Sequence, residues 1–374
     1  MKLLIVHTKY KHEGGEDIAV DNEFNFFKNS IETDIIYFQN EKITTSNYIS
    51  FLQNKNKNSV KQIMNKVEEF KPDVVYLHNT WFEASLGIID YLLTQDVEIL
   101  IKLHNFRYDC INAIHYRNEQ ACHDCSSNRL SGIKNKCYDN SYLKSSLVTN
   151  YSKKYRSFFN KKIKLIVLSD FHKKYLSSLG FEDNIFIFPN PISLEDYANT
   201  TYNSVSDYGI YAGRVSEEKG IKELVDTWNI SNMGSMKLLI IGDGPSLGYF
   251  QKQNYKNISF LGKKTNQETL ETISNARFTI SATRVYEGQP TLLTESSKLK
   301  IPTIFPVYGG ISSFLPNTSK LQFEQFNYED LSRKIESTLD KELMLKESKE
   351  NFNFYKKMFN EKDLLQKFKR IVDF

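Results

Sequence analysis

Short, unbroken apolar runs recur along the chain, separated by stretches with helical spacing. In the first half they fall at residues 3–6, 35–38, 74–77, 99–103, 165–168 and 185–188. After a break they resume at 209–212, 238–241, 258–261, 278–281 and 303–305. Runs that are continuous rather than alternating suit strands covered on both faces of a parallel sheet. Between them, Val60, Ile63, Met64, Val67 and Phe70 follow Ser59 at the spacing of one helix face, which predicts an amphipathic helix capped by Ser59. The alternation predicts an α/β chain of two doubly wound domains. Pro189-Asn190-Pro191 stops the last strand of the first array, and 199–206 is polar and aperiodic. The boundaries expected are 1–195 and 196–350, with 351–374 as a terminal helix. Residues 41–58, rich in Asn, Lys and Ser, read as a loop.

Composition narrows the classes. A chain of 374 residues is long for one core, and 40% hydrophobic with 25% charged residues is a globular balance. Lys and Arg (49) barely exceed Asp and Glu (45), so the net charge of +4 argues against a nucleic-acid partner. The opening apolar run is too short for a signal peptide and no 18-residue apolar stretch follows, so the expected location is cytoplasmic.

Four cysteines, Cys110, Cys122, Cys125 and Cys137, cluster in a segment with little apolar periodicity. Their spacing, with a central Cys-x-x-Cys knuckle and with His115 and His123 nearby, predicts a structural zinc site that would order this segment. A reducing compartment disfavours disulfides as the alternative. The stretch from Lys153 to Lys164 mixes cations with aromatic rings and has no acid. It predicts peripheral contact with anionic lipid on the cytoplasmic face of the inner membrane. The competing reading is a solvated helix end with Phe158 and Phe159 in the core.

The densest chemistry lies between Glu287 and Glu295. Pro290 suits a helix start, so Glu287 should sit in a strand-to-helix loop and Glu295 one turn into the helix. The amides near Gln289, Thr291 and Leu292 then face outward at the positive end of the helix, where a phosphate binds well. Carboxylates on either side would accept hydrogen bonds from paired hydroxyls. Gly213-Arg214 and Lys219-Gly220 follow another predicted strand and offer two cations for a diphosphate. Gly242-Asp243-Gly244-Pro245 makes a tight turn after the next strand, and Gly262-Lys263 ends the one after it. Gly14-Gly15 opens the first helix, where backbone could approach a phosphate, and His104 ends the strand at 99–103.

In order along the chain, Gly14-Gly15-Glu16, His104-Asn105-Phe106-Arg107, Pro189-Asn190-Pro191, Gly213-Arg214, Lys219-Gly220, Gly242 to Pro245 and the Glu287/Glu295 pair resemble glycosyltransferase family 4. These are retaining nucleotide-sugar enzymes with the GT-B fold, in which two Rossmann-like domains face each other across a deep cleft. The resemblance implies an acceptor-binding first domain, a nucleotide-sugar-binding second domain, and a final helix crossing back to the first. It implies that Glu287 contacts the donor sugar, Glu295 the ribose, and Arg214 and Lys219 the diphosphate of a UDP- or GDP-sugar. Gly14, Gly15, Gly213, Gly244, Pro245, Lys263, Gly288, Gln289, Pro290 and Thr291 would complete the donor site, and His104 would reach toward the transferring sugar. No catalytic divalent metal is expected. The acceptor implied is a glycan or lipid-linked glycan in surface polysaccharide assembly. Gln289 stands where many members carry Phe, and Lys300 where they carry Gly. Two rival readings are an NAD(P)-dependent oxidoreductase using Gly242 to Gly248 and a zinc-bearing RNA-binding protein.

Overall fold

The computed structural model describes residues 1–10, 14–40, 52–192 and 201–374. The chain forms two compact units. The first comprises Met1–His115, Cys122–Ser193 and Glu361–Phe374, and the second Tyr116–Ala121 and Leu194–Asn360. The expected junction at 195/196, and residues 41–51 of the expected loop, lie outside the described residues.

The first unit is built on six parallel strands: β1 (Lys2–Lys9), β2 (Glu32–Gln39), β3 (Val74–Leu77), β4 (Glu98–Leu103), β7 (Lys164–Val167) and β8 (Ile185–Ile187). Their order is β2-β1-β3-β4-β7-β8, so the winding reverses between β1 and β3. At such a reversal neighbouring crossovers leave on opposite faces, opening a crevice at the strands' carboxyl ends. All six apolar runs became strands, but β2 is an edge strand and most of it is only half-buried. The helix Lys57–Phe70 begins three residues earlier than a Ser59 cap would place it. Asn56 caps it, accepting from the amides of Asn58 and Ser59. The Ser59 hydroxyl instead donates to the Glu83 carbonyl at 2.7 Å. Ile63 is fully buried on this helix, whereas Met64 is exposed.

The second unit has β9 (Tyr208–Ala212), β10 (Lys237–Ile241), β11 (Ile258–Gly262), β12 (Phe278–Ile280), β13 (Thr303–Pro306) and β14 (Gln322–Phe323). Their order is β11-β10-β9-β12-β13-β14. Counted from β9 this is 3-2-1-4-5-6, the Rossmann order, with its reversal between β9 and β12. Successive side chains of a strand point to opposite faces. Accordingly Tyr211, Leu238, Ile240, Phe278 and Ile280 enter one buried cluster while Ile210 and Ile241 enter another. The Arg277 guanidinium closes this unit from inside, donating to the carbonyls of Thr338 (2.7 Å) and Leu339 (2.9 Å) at the end of the helix Tyr328–Ser337. A short antiparallel hairpin, β5 (Tyr116–Arg117) with β6 (Gln120–Ala121), also belongs to this unit.

Candidate functional site

In the second unit the predicted residues gather at the reversal point. After β9 the backbone passes through Gly213 and Arg214 into a single 3-10 turn, Glu217–Lys219, and then the helix Ile221–Ile230. Gly220 joins the two at φ 69°, and a Cβ there would lie 1.9 Å from the Ala282 carbonyl oxygen beyond β12. Only glycine allows that approach. It brings the Lys219 loop against the segment after β12. There Lys219 Nζ lies 2.5 Å from Glu287 Oε1, and the buried Thr283 hydroxyl donates to the same oxygen at 2.9 Å. The Gly310 amide donates to the Glu287 carbonyl at 3.2 Å, holding the loop from its other side. Arg214 is exposed, as is Lys263 after β11.

The helix after this loop is Thr291–Lys298, with Pro290 as its cap residue and no side chain capping its first turn. Its leading amides therefore have no intrahelical acceptor. Glu295 lies inside the helix, half-buried. Burial pushes its carboxyl up to about 7, against the opposing influence of a hydrogen bond with Asn266 and the charge of Lys298. Gly288 and Gln289 are half-buried, Pro290 is buried and Thr291 exposed.

Sequence reading missed two residues here. Thr283 braces Glu287. Arg284 is buried, bonded to Glu223 at 2.6 Å and to the Glu119 carbonyl of the β5–β6 hairpin at 2.5 Å. The hairpin is further held by the Tyr116 hydroxyl on Glu217 at 3.0 Å. Their one signal was position, directly after a predicted buried strand.

The glycines after β10 serve packing. A Cβ on Gly242 would meet the Gly213 carbonyl oxygen at 1.8 Å, and one on Gly244 the Val215 carbonyl oxygen at 2.3 Å. A dinucleotide fingerprint belongs to the first strand-to-helix turn of its unit, and this turn follows the second strand. That placement counts against the oxidoreductase reading.

In the first unit a cavity opens at the other reversal point, lined among others by Glu16, His78, Thr80, His104, Arg107 and Tyr151. His104 follows β4 and His78 follows β3, and His78 Nδ1 lies 3.0 Å from His104 Nε2. Burial holds both imidazoles well below the usual histidine range, assisted by the charge of Lys102. Beneath them Lys102 Nζ is fully buried and bonds both Glu23 oxygens, at 3.0 and 2.9 Å, while the Tyr76 hydroxyl adds a third bond at 3.1 Å. Neither Glu23 nor Lys102 was singled out from sequence, since each sits in an ordinary amphipathic or apolar run. Burial raises the Glu16 carboxyl. The Gly14 amide donates to Asp17 Oδ2 at 2.9 Å, so Asp17 occupies the backbone donor expected to meet a phosphate.

The zinc site expected at Cys110, Cys122, Cys125 and Cys137 is not shown. Among the described residues no group of three or more His, Cys, Asp or Glu is placed to hold a metal ion, and no disulfide joins the cysteines. Burial pushes the Cys110 thiol up to about 11 and raises Cys125. The segment orders itself by another route. Phe106, Tyr108 and Ile111 are buried, and the buried Asp109 carboxylate accepts from Arg156 at 2.9 Å, Tyr175 at 2.6 Å and Ser126. The apolar side chains had no helical or strand period because the segment is folded as turns, a hairpin of two-residue strands and two four-residue helices, Asp124–Ser127 and Ser131–Lys134.

In the 153–164 stretch the two rings take the competing reading. Phe158 and Phe159 are buried in the core. Lys154 pairs with Asp90, Arg156 with Asp109, and Lys164 with Glu98 and Asp373. Lys153, Lys161 and Lys162 remain exposed. No described helix is long and apolar enough to cross a membrane.

Comparison with known proteins bears on the second unit most directly. Residues 200–357 match the family model described as glycosyl transferases group 1. The amylovoran biosynthesis glycosyltransferase AmsD of Erwinia amylovora is 25% identical over 155 residues, which is 38% of this chain and 42% of that protein. The alignment thus spans less than half of the curated relative. Among solved structures, sucrose-phosphate synthase from Thermosynechococcus elongatus superposes with a TM-score of 0.71 at 13% identity, covering 100% of this chain and 98% of the other. Anabaena HepE in complex with UDP gives 0.68 at 12% identity, covering 100% of each chain. The chain therefore has the GT-B fold, and its residues 200–357 are similar to the group 1 glycosyl transferases.

Proposed function

We propose that the protein is a retaining glycosyltransferase of family 4, moving a hexose from a nucleotide-diphosphate sugar to a glycan or lipid-linked glycan in surface polysaccharide assembly. The observation that carries this reading is the cluster at the β9/β12 reversal. A cation, Lys219, and a carboxylate, Glu287, meet beside the uncapped start of the helix that bears Glu295. A nucleotide-diphosphate sugar matches that sequence of charges. Glu287 accepts from the sugar hydroxyls, Lys219, Arg214 and the helix amides take the diphosphate, and Glu295 accepts from the ribose. UDP ranks ahead of GDP, since HepE is described with UDP and with UDP-glucose. AmsD, named for amylovoran biosynthesis, supports a polysaccharide setting.

In the reaction the bond from the anomeric carbon to the β-phosphate oxygen breaks and one to an acceptor hydroxyl oxygen forms. Charge grows on the departing diphosphate, where fixed cations and amide dipoles lower the barrier most. The acceptor hydroxyl approaches from the departing side and releases its proton to the leaving phosphate oxygen, so configuration is retained. The first unit's cavity, with His104, Glu16 and Arg107, presents the polar groups for sugar hydroxyls. Nothing in this reading calls on zinc, and a lipid contact at 153–164 would rest on the three exposed lysines alone.

The test is product stereochemistry. Incubating the protein with UDP-hexoses and a membrane glycolipid extract, then reading the anomeric proton coupling of the new linkage, should show the donor's own configuration. Inversion, or absence of sugar transfer from every UDP- and GDP-sugar tried, would remove the assignment.

A further inference from the structure

The His78–His104 pair has a direction, and the groups beneath it supply that direction. His78 is fully enclosed. Its Nδ1 is engaged with His104 Nε2 at 3.0 Å, and its Nε2 has no hydrogen-bond partner. Glu23 Oε2 lies 3.8 Å from that Nε2. Two neutral arrangements satisfy the His–His bond. In one, His78 carries its proton on Nδ1 and turns a bare Nε2 lone pair toward the Glu23 carboxylate. In the other, Nε2 carries the proton toward Glu23, and His78 Nδ1 accepts from His104 Nε2–H. A lone pair facing an anion in a water-free site is repelled, while an N–H dipole there is attracted, and low dielectric magnifies the difference. The partner of one ring nitrogen fixes the state of the other.

The remaining charged and titratable neighbours leave this direction in place. Lys102 is turned onto both Glu23 oxygens, and its charge opposes protonation of either ring. His7 meets His78 edge-on at 6.4 Å and is bonded to Asp17 at 2.8 Å. His172 acts on His104 in the same sense as Lys102. Glu16 and Arg107 lie across the cavity. His104 Nδ1 has no hydrogen bond among the described residues, and His104 lines the cavity.

We propose that His78, set by Glu23, is a positioning residue that holds His104 with its proton on Nε2, so that Nδ1 is offered to the ligand as a hydrogen-bond acceptor for a sugar hydroxyl. The consequence is a selectivity. The site takes a ligand that presents an O–H at this point and rejects one whose hydroxyl is methylated or replaced by fluorine, which cannot donate. The inference rests on the glycosyl-transfer reading for the identity of the ligand, but the state of the ring does not depend on it.

Its experiment therefore reads the ring first. A two-bond proton–nitrogen correlation spectrum of the full chain labelled with 15N-histidine, near neutral pH, should show His104 as the Nε2–H tautomer with an unprotonated Nδ1, assigned by its loss in His104→Gln. His78→Phe, which keeps a ring in the enclosed site, should shift the His104 pattern toward a mixture of tautomers. Sugar transfer should fall about two- to tenfold in kcat/KM in His78→Phe, the range for one net hydrogen bond. An Nδ1–H tautomer for His104 in the wild-type chain would overturn the proposal even if sugar transfer were demonstrated. Conversely, the predicted tautomer in a chain that transfers no sugar would preserve the proposal and remove the function. Should His78→Phe fail to fold, the wild-type spectrum alone decides.

Discussion

Lys219 and Glu287 occupy each other: Nζ lies 2.5 Å from Oε1, with the Thr283 hydroxyl on the same oxygen. In the proposed complex each has a different partner, the diphosphate for the lysine and the sugar hydroxyls for the carboxylate. The ligand-free pair thus pre-positions both groups, and donor binding exchanges one set of charge-assisted bonds for another. Lys219→Met should weaken donor binding by about 1.5–3 kcal/mol, the usual worth of a hydrogen bond to a charged group. Glu287→Ala should act mainly on turnover, because its oxygen sits where the reacting sugar is expected. Calorimetric affinity set beside initial rates for each variant checks this split, and equal losses in both quantities would speak against it.

If Glu295 holds the ribose as proposed, donor binding acquires a pH dependence. Its carboxyl is pushed up by burial to about 7, so it is largely protonated in the free protein below that pH. A protonated acid accepts ribose hydroxyls poorly. Donor affinity should therefore fall below pH 7, by up to about tenfold per pH unit, and level off above it. Stability of the free protein should move the other way. A carboxyl raised in the folded state binds more protons than the unfolded chain between the ordinary glutamate range and about 7. Its contribution is present at low pH and lost as pH rises through that window. Titrating Kd across pH 5.5–8.5 should show the slope for wild type and a flat profile for Glu295→Gln.

The buried Lys102–Glu23 pair predicts an asymmetric mutational response. Removing one charge leaves the other enclosed without its partner, so Lys102→Met should cost about 3–5 kcal/mol. The double change Lys102→Met with Glu23→Leu should recover much of that loss. Urea denaturation of the three proteins measures it, and a single variant as stable as wild type would refute the pairing.

The arrangement of the cysteines predicts that chelation leaves stability unchanged. EDTA should not lower the thermal midpoint, and Cys110 and Cys125, buried with raised thiol pKa values, should react with a thiol reagent only on unfolding. A midpoint that drops on chelation and returns with zinc would reinstate a metal.

How far the fold could be read from the chain depended on which physical signal each part carries. Each apolar run singled out became a strand, the inner ones because they are buried on both faces of a parallel sheet, although those of the edge strands β2 and β11 are only partly buried. The Glu287 and Glu295 placements followed from Pro290 and the helix it opens. What stayed hidden was set by long-range partners. Asp109 orders the cysteine segment through Arg156 and Tyr175, which are 47 and 66 residues away, and no local period announces that. For Phe158 and Phe159 the chain left two readings open, a lipid-facing patch or the core, because composition cannot tell which face of a helix end turns inward; both rings are buried. The Glu23–Lys102 pair, 79 residues apart, was invisible for the same reason.

The central claim is that a nucleotide-diphosphate sugar binds where β9 and β12 end. It is tested most directly by isothermal titration of a panel of UDP- and GDP-sugars against wild type, Lys219→Met and Glu295→Ala. The account predicts saturable binding of one chain to one donor, weakened at least about tenfold in each variant, as expected for loss of a charged partner. Binding of equal strength in all three proteins would contradict it.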